Sequence, residues 1–307
     1  MAAWGSQSFI RLCAVLWRAS QVAPCSGRQN IDTMSSTPSL TPARPVTARP
    51  VPRWLAISRG RAFLTHLLSS AVIVSAVCVL VFFVWYPHPY FQISGAWNPL
   101  RVLIGVDLVL GPLLTLLIFK PGKKGLWFDL SVILAVQLAA FVYGVTVIYG
   151  ERPYFNVFAV DRFTVLTHSD VDPAEWEKAS GRLGAKSLVG PVLAVALRPT
   201  DPAAQQRLID ETVFGGKPDI DHRPELWVPY QEQVSQVVAR ARPLSTLRSS
   251  RPDVSVQIER LPDRLGLPAQ RLGVLPVTVR ERYLLLVIDM VTGAPLEAIE
   301  QDPWATN

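Results

Sequence analysis

The chain has 307 residues, 50% of them hydrophobic, and a mean hydropathy of +0.26. That composition suits a membrane anchor joined to one soluble domain better than two soluble domains. The net charge of +6 divides unevenly, with 12 Lys/Arg against 3 Asp/Glu over residues 1–149 and 18 against 21 over residues 150–307. The basicity therefore belongs to membrane flanks, which argues against a nucleic-acid-binding face.

Residues 1–57 read as a disordered, Pro/Ser/Thr-rich cytoplasmic tail that cannot bury a core. Residues 1–33 share no pattern with the rest of the chain, and Met34 is read as an alternative start. Cysteine is confined to Cys13, Cys25 and Cys78, so the C-terminal half has neither a disulfide framework nor a Cys-based zinc site.

Residues 58–150 are predicted to form a three-helix transmembrane region, with spans at 62–86, 100–119 and 126–149. Each run reaches the roughly 20 apolar residues that cross a bilayer core. The first run exceeds a signal-peptide core and ends in WYPHPYF with no small-residue cleavage site, so it reads as a retained anchor. Orientation follows from the placement of Lys and Arg. Arg53, Arg59 and Arg61 precede the first span, and Lys120, Lys123 and Lys124 fill the turn between the second and third. The intervening loop, Pro87–Pro99, carries no Lys or Arg. The N-terminus and the basic turn are thus expected in the cytoplasm. In a Gram-negative cell this places residues 151–307 in the periplasm, on the far side of the inner membrane.

The soluble part is expected to be a small mixed α+β domain. Phe155–Thr167 reads as a strand, and Asp172-Pro-Ala-Glu175 as the capped start of a helix running to Ala179. Leu188–Leu197 is a second strand broken by Gly190-Pro191. A helix starts at Thr200 or Asp201 and stops at Gly215-Gly216. Pro229–Arg242 is amphipathic, with Val234, Val237 and Val238 on one face. The C-terminus reads as a meander of Val274–Arg280, Tyr283–Met290 and Pro295–Glu300, with Thr292-Gly293 in its last turn. The chain has no internal repeat.

Asp107 is the sharpest chemical feature, a carboxylate about seven residues, roughly 10 Å, inside the second span. Placing it there costs at least ~2.5 kcal/mol, which makes it a functional-site candidate. Gly111-Pro112 should bend the helix and free backbone carbonyls beside it. Gln137, Tyr143 and Thr146 on the third span are its candidate hydrogen-bond partners. Three readings of Asp107 stand: a packing pin between helices, a contact for a partner's helix, or a proton or ion path. Three spans with one buried acid make a poor transporter. Asp129 is expected to pair with the lysines of the basic turn.

Asp219-Ile-Asp221-His222 has a metal-ligand flavour but no second ligand cluster, so it reads as a solvated loop. His168-Ser169-Asp170 are adjacent and cannot adopt triad geometry, so they read as a turn. GxSxG, HExxH, P-loop and GxGxxG patterns are all absent from the sequence. No catalytic residue, metal site or cofactor is expected.

Several stretches together resemble the TfpX/TfpZ family of type IV pilin accessory proteins. They are DLVLGPLLT (Asp107–Thr115), KPGKKG followed by LWFDL, VQLAAFVYG (Val136–Gly144) and RPYFNVFAVDRF (Arg152–Phe163). The Gly190-Pro191 segment and the C-terminal LPVTVRERYLLLVIDMVTG closing in DPW complete the likeness, which spans roughly residues 58–304. The resemblance implies an inner-membrane, non-catalytic protein that assists the stability or assembly of a type IV pilin. It carries no active site to transfer. Its partners would be the pilin, the inner-membrane assembly platform and the lipid bilayer. Asp107, Gly111, Pro112, Gln137 and Tyr143 would meet the pilin's membrane helix, and Asp161, Arg162 and Phe163, with the C-terminal meander, its globular head. The competing classes are a membrane-anchored periplasmic sensor and an envelope- or pilin-modifying enzyme. The first would want a cytoplasmic output module, the second a catalytic constellation.

Overall fold

The structure, a computed structural model, describes residues 58–121, 123–184, 188–250 and 255–301. The predicted tail, Met34, Arg53 and the DPW close lie outside the described residues. Among the described residues three helices are long and apolar enough to cross a membrane: Arg59–Trp85, Trp97–Ile118 and Leu126–Gly150. The Ser58 side chain caps the first by accepting from the Arg61 N–H at 3.3 Å. The second starts earlier than the predicted 100 because Pro99, in its first turn, needs no N–H there. Between the second and third, Lys123 Nζ lies 2.5 Å from Asp129 Oδ2, the pairing expected for that acid. Gly125, at φ +87°, turns the chain into the third helix. At the end opposite this basic turn, Leu100, Leu103 and Ile148 are buried with Val81 and Tyr86.

Beyond the third span comes a mixed eight-stranded sheet. Its strands are β1 (Phe155–Ala159), β2 (Arg162–Leu166), β3 (Val192–Ala196), β4 (Trp227–Pro229), β5 (Arg242–Pro243), β6 (Leu272–Val279), β7 (Arg282–Asp289) and β8 (Pro295–Ile299). The spatial order is β4-β3-β1-β2-β6-β7-β8, with β5 paired to β6. β1 runs parallel to β3 and β2 parallel to β6, while the C-terminal three form the expected antiparallel meander.

Alternating residues feed opposite faces. Phe158, Phe163, Val165, Val277, Leu284 and Leu286 pack on one side with Val237 of the helix Val234–Arg240. Phe155, Val157, Leu166 and Trp227 pack on the other, against Trp176 and Leu183 of the helix Pro173–Leu183. A third cluster joins Val274, Leu285 and Val287 to Leu247, Ile258 and Leu261, from two helices that the sequence pattern did not reveal.

Several expectations need correction, among them the helix expected over Pro229–Arg242, which spans only Val234–Arg240 because Pro229 ends β4 and Arg242 lies in β5. Phe155–Thr167 is not one strand but a hairpin with register Ala159↔Arg162, turned by Val160-Asp161. Val160 takes φ +61°, a conformation rare for a β-branched residue, and the Asp161 N–H closes the turn on the Ala159 carbonyl at 2.7 Å. The second predicted strand begins only at Val192, because Gly190 takes φ +72° and Pro191 follows it. Asp219–His222 is no solvated loop. Ile220 is buried, and Asp221 accepts from the buried Thr164 hydroxyl of β2 at 2.8 Å. The helix starts are as read: Asp172 and Asp201 cap them, each followed by Pro, with side chains accepting from Ala174 N and Ala204 N.

The loop between the first two spans is part of the sheet domain. Tyr90 and Ile93, on the short helix Tyr90–Ser94, lie in the same cluster as Phe163 and Leu286, with exposures of 6% and 0%. Polar contacts secure the junction. Asn156 Nδ2 donates to Tyr90 Oη at 2.9 Å, Arg282 Nη1 to the Ile93 carbonyl at 3.3 Å, and the Tyr86 hydroxyl to the Ile148 carbonyl at 2.7 Å. Arg280 pairs with Glu151. The β1–β2 and β7–β8 turns occupy the opposite end of the sheet, away from the spans.

Candidate functional site: a polar cleft among the membrane-spanning helices

Pro112 has no N–H to donate, and the second span responds one turn earlier. Residues Gly105–Leu110 form a π-helical turn in which the Gly111 N–H reaches the Val106 carbonyl, five residues back. This is the predicted distortion, and it holds Asp107, Gly111, Pro112 and Thr115 in buried positions. Counted from the helix start at Trp97, Asp107 is ten residues in, roughly 15 Å at the helical rise and so near mid-membrane.

Gly111 faces Gln137 of the third span. A Cβ there would lie 1.6 Å from Gln137 Nε2, so the Gln137 amide rests on the bare backbone. Asp107 and Gln137 are 7% and 8% exposed, and Asp107 Oδ2 and Gln137 Oε1 each have no hydrogen-bond partner. His66 and Ser70 of the first span complete the polar lining of a cleft of about 130 Å³. Its rim is apolar and exposed, formed by Ile73, Leu134 and Leu138, so it opens toward the space lipid would fill.

A hydrogen-bond chain runs beside the cleft. The Thr115 hydroxyl donates to the Gly111 carbonyl at 3.2 Å, and His66 Nδ1 lies 2.6 Å from Thr115 Oγ1. With the hydroxyl proton directed to Gly111, His66 Nδ1 is the donor in its contact with Thr115. The sequence did not single out His66, Ser70 or Thr115. A lone His four residues into the predicted apolar run was the available signal.

The structure brings together Asp107, Gly111, Pro112 and Gln137, and it separates Tyr143. That ring is 69% exposed on the outer face, and the Thr146 hydroxyl donates to the Tyr143 carbonyl at 2.8 Å. Neither can serve Asp107. Asp161, Arg162 and Phe163 also part. The first two form an exposed ion pair at 3.0 Å, whereas Phe163 is fully buried beneath the turn, 5.2 Å from the Phe158 ring. A side chain so placed supports the hairpin and cannot meet a partner. Arg59, Arg61, Lys120, Lys123 and Lys124 all sit at the basic ends of the spans.

In the sheet domain, His222 Nδ1 lies 2.8 Å from Asp221 Oδ1. The hydrogen bond to Asp221 raises the His222 pKa above its usual value, with Asp170 and Asp219 adding to the effect. Burial pushes Asp221 up, but the bonds from His222 and Thr164 and the charge on His222 leave it below the usual carboxylate range. Asp221 sits between His222 and Thr164, so the imidazole is not placed to activate a hydroxyl. Thr167 and Asp170 form a capping box around His168-Ser169-Asp170, which fixes that turn. Among the described residues no group of three or more His, Cys, Asp or Glu could hold a metal ion.

The fold and cleft define a membrane protein whose three candidate spans are docked onto a mixed sheet domain, with unpartnered acceptors on Asp107 and Gln137 lining a cleft among the spans. The family model for fimbrial assembly protein FimB matches residues 54–95, the first span and the loop that enters the sheet core. Three curated relatives come from Dichelobacter nodosus. The fimbrial assembly protein of serogroup I is 35% identical over 182 residues, 59% of this chain and 70% of the relative. That of serogroup E1 is 36% identical over the same shares, and that of serogroups C1 and C2 is 39% identical over 108 residues, 82% of its length. The chain belongs to this family of fimbrial assembly proteins. No solved structure matches it.

Proposed function

We propose that this protein assists fimbrial assembly by direct contact with a fimbrial subunit, in the manner of the TfpX/TfpZ type IV pilin accessory proteins it resembles. Relatives named for fimbrial assembly support the process. The observation that carries the contact is the cleft, with an unpartnered acceptor on each of Asp107 and Gln137. A buried polar atom without a partner is costly in hydrocarbon, and an apolar helix bearing one hydrogen-bond donor would relieve that cost. The subunit's membrane segment enters from the lipid side, while its soluble part meets the sheet domain. Two linked contacts raise the effective concentration of the second. The protein acts as a binding partner and not as a catalyst. It sits in the inner membrane with the basic ends of its spans in the cytoplasm and the sheet domain in the periplasm.

Deletion of the gene, with surface fimbriae and total subunit quantified separately, tests the role. Loss of surface fimbriae with subunit retained in the membrane assigns it to assembly, and loss of both assigns it to subunit protection. Unchanged fimbriae and subunit would refute the reading. Asp107→Leu removes one acceptor and leaves the sheet domain untouched, so it should sharply reduce co-purification of the subunit. Undiminished co-purification would exclude the cleft as the contact.

A further inference from the structure

Leu188 and Val189 are apolar residues of the sheet domain that stand 90% and 49% exposed. The residue after them fixes their height. The Gly190 N–H donates to the Val84 carbonyl at 3.1 Å, and Val84 is one residue short of the end of the first span at Trp85. The last carbonyls of a helix have no partner within it, so this bond caps the span. Gly190 also passes close to Pro87: a Cβ on it would lie 3.2 Å from Pro87 Cγ, and its φ of +72° excludes most side chains. The loop is therefore pressed against the end of a membrane helix.

The same level carries the marks of a bilayer boundary. The Trp85 and Tyr149 rings meet edge-on at 5.1 Å, and the Arg152 guanidinium lies 3.6 Å over the Tyr149 ring. Aromatic rings collect where hydrocarbon gives way to headgroups. Phe83, one residue before Val84, is 69% exposed on the face of the span. We propose that Leu188 and Val189 insert into this boundary, making this pair ahead of β3 a second membrane anchor for the sheet domain. The occupant is lipid, because the pair continues the apolar surface of the first span at the point where that helix ends. Val192 of β3 pairs with Phe155 of β1, so the anchor holds these two strands to the bilayer independently of the third span.

The test uses the full chain with its three cysteines replaced, Leu188→Cys labelled with an environment-sensitive dye, and reconstitution in phospholipid nanodiscs. A twin carries the dye through Val291→Cys, on the turn at the far end of the sheet and 67% exposed. A nitroxide on the upper acyl chain should quench the dye at 188 several-fold more than at 291, and aqueous iodide should show the reverse order. Val189→Cys provides a second reporter if the first variant fails to fold. Equal iodide access at 188 and 291 would overturn the assignment. So would shielding from iodide without nitroxide quenching, which would mean that protein, a partner or a second copy, covers the loop.

Discussion

Replacing Ile93 with Ala asks whether the loop between the first two spans completes the sheet core. Ile93 has no exposed surface and shares its cluster with Phe163, Leu275 and Leu286. The substitution removes three carbons, about 2.4 kcal/mol at roughly 0.8 kcal/mol per buried methylene. The cavity left behind brings the cost into the range of roughly 2–5 kcal/mol. A loss near 3 kcal/mol should lower the melting temperature by roughly 6–12 °C for a fold of this size. The assay is thermal unfolding of the full chain in detergent, followed by tryptophan fluorescence, to which the fully buried Trp227 contributes from within the sheet domain. Leu64→Ala, on the outer face of the first span and 51% exposed, serves as the matched control and should melt with the wild type. If Ile93→Ala also melts with the wild type, the loop is not part of the core and the docking of sheet on spans is wrong.

Two further outcomes follow from particular contacts. Gly111→Ala forces the Gln137 amide off the second span, since the new Cβ would fall 1.6 Å from Nε2. It should weaken subunit co-purification and should couple strongly to Gln137→Ala in a double-mutant cycle; additive effects would show that the two residues do not touch. The His222–Asp221 pair makes stability depend on pH from both sides. The raised His222 pKa contributes stability that is complete below about 6.5 and is lost as pH rises through the folded value, whereas the lowered Asp221 pKa contributes above about 3.8 and is lost as pH falls through its own. Unfolding midpoints measured across pH should therefore show the pair's contribution greatest between those limits, and His222→Ala should remove its alkaline arm. An unchanged alkaline arm in that variant would count against the pairing.

The three spans were legible because a run of some twenty apolar residues has few other fates. The meander was legible too, since β6 and β7 are long and Thr292-Gly293 marks a turn. The β1–β2 hairpin was not, because Val160-Asp161 carries none of the Gly or Asn-Gly chemistry that announces a tight turn. β4 has three residues, too few for periodicity to register. The helix Ser255–Leu265 was hidden by Pro262 in its interior. At the cleft, Asp107 and Gly111-Pro112 stood out, since charge and proline are conspicuous in an apolar run. The choice among Gln137, Tyr143 and Thr146 depended on rotation of the third helix, which its nearly uniform apolar sequence does not encode. His66 was missed because its partner, Thr115, lies 49 residues away.

The placement of Tyr90 and Ile93 also dictates an order of events during biogenesis. These residues leave the ribosome before the second and third spans exist, yet their neighbours Phe163, Leu284 and Leu286 come some seventy to almost two hundred positions later. The core can close only when the loop and the C-terminal strands have reached the same side of the bilayer. A chain threaded with the wrong topology would leave the loop stranded and the sheet missing part of its interior. Completion of the sheet core therefore depends on correct threading of all three spans, because Tyr90 and Ile93 fill part of its interior.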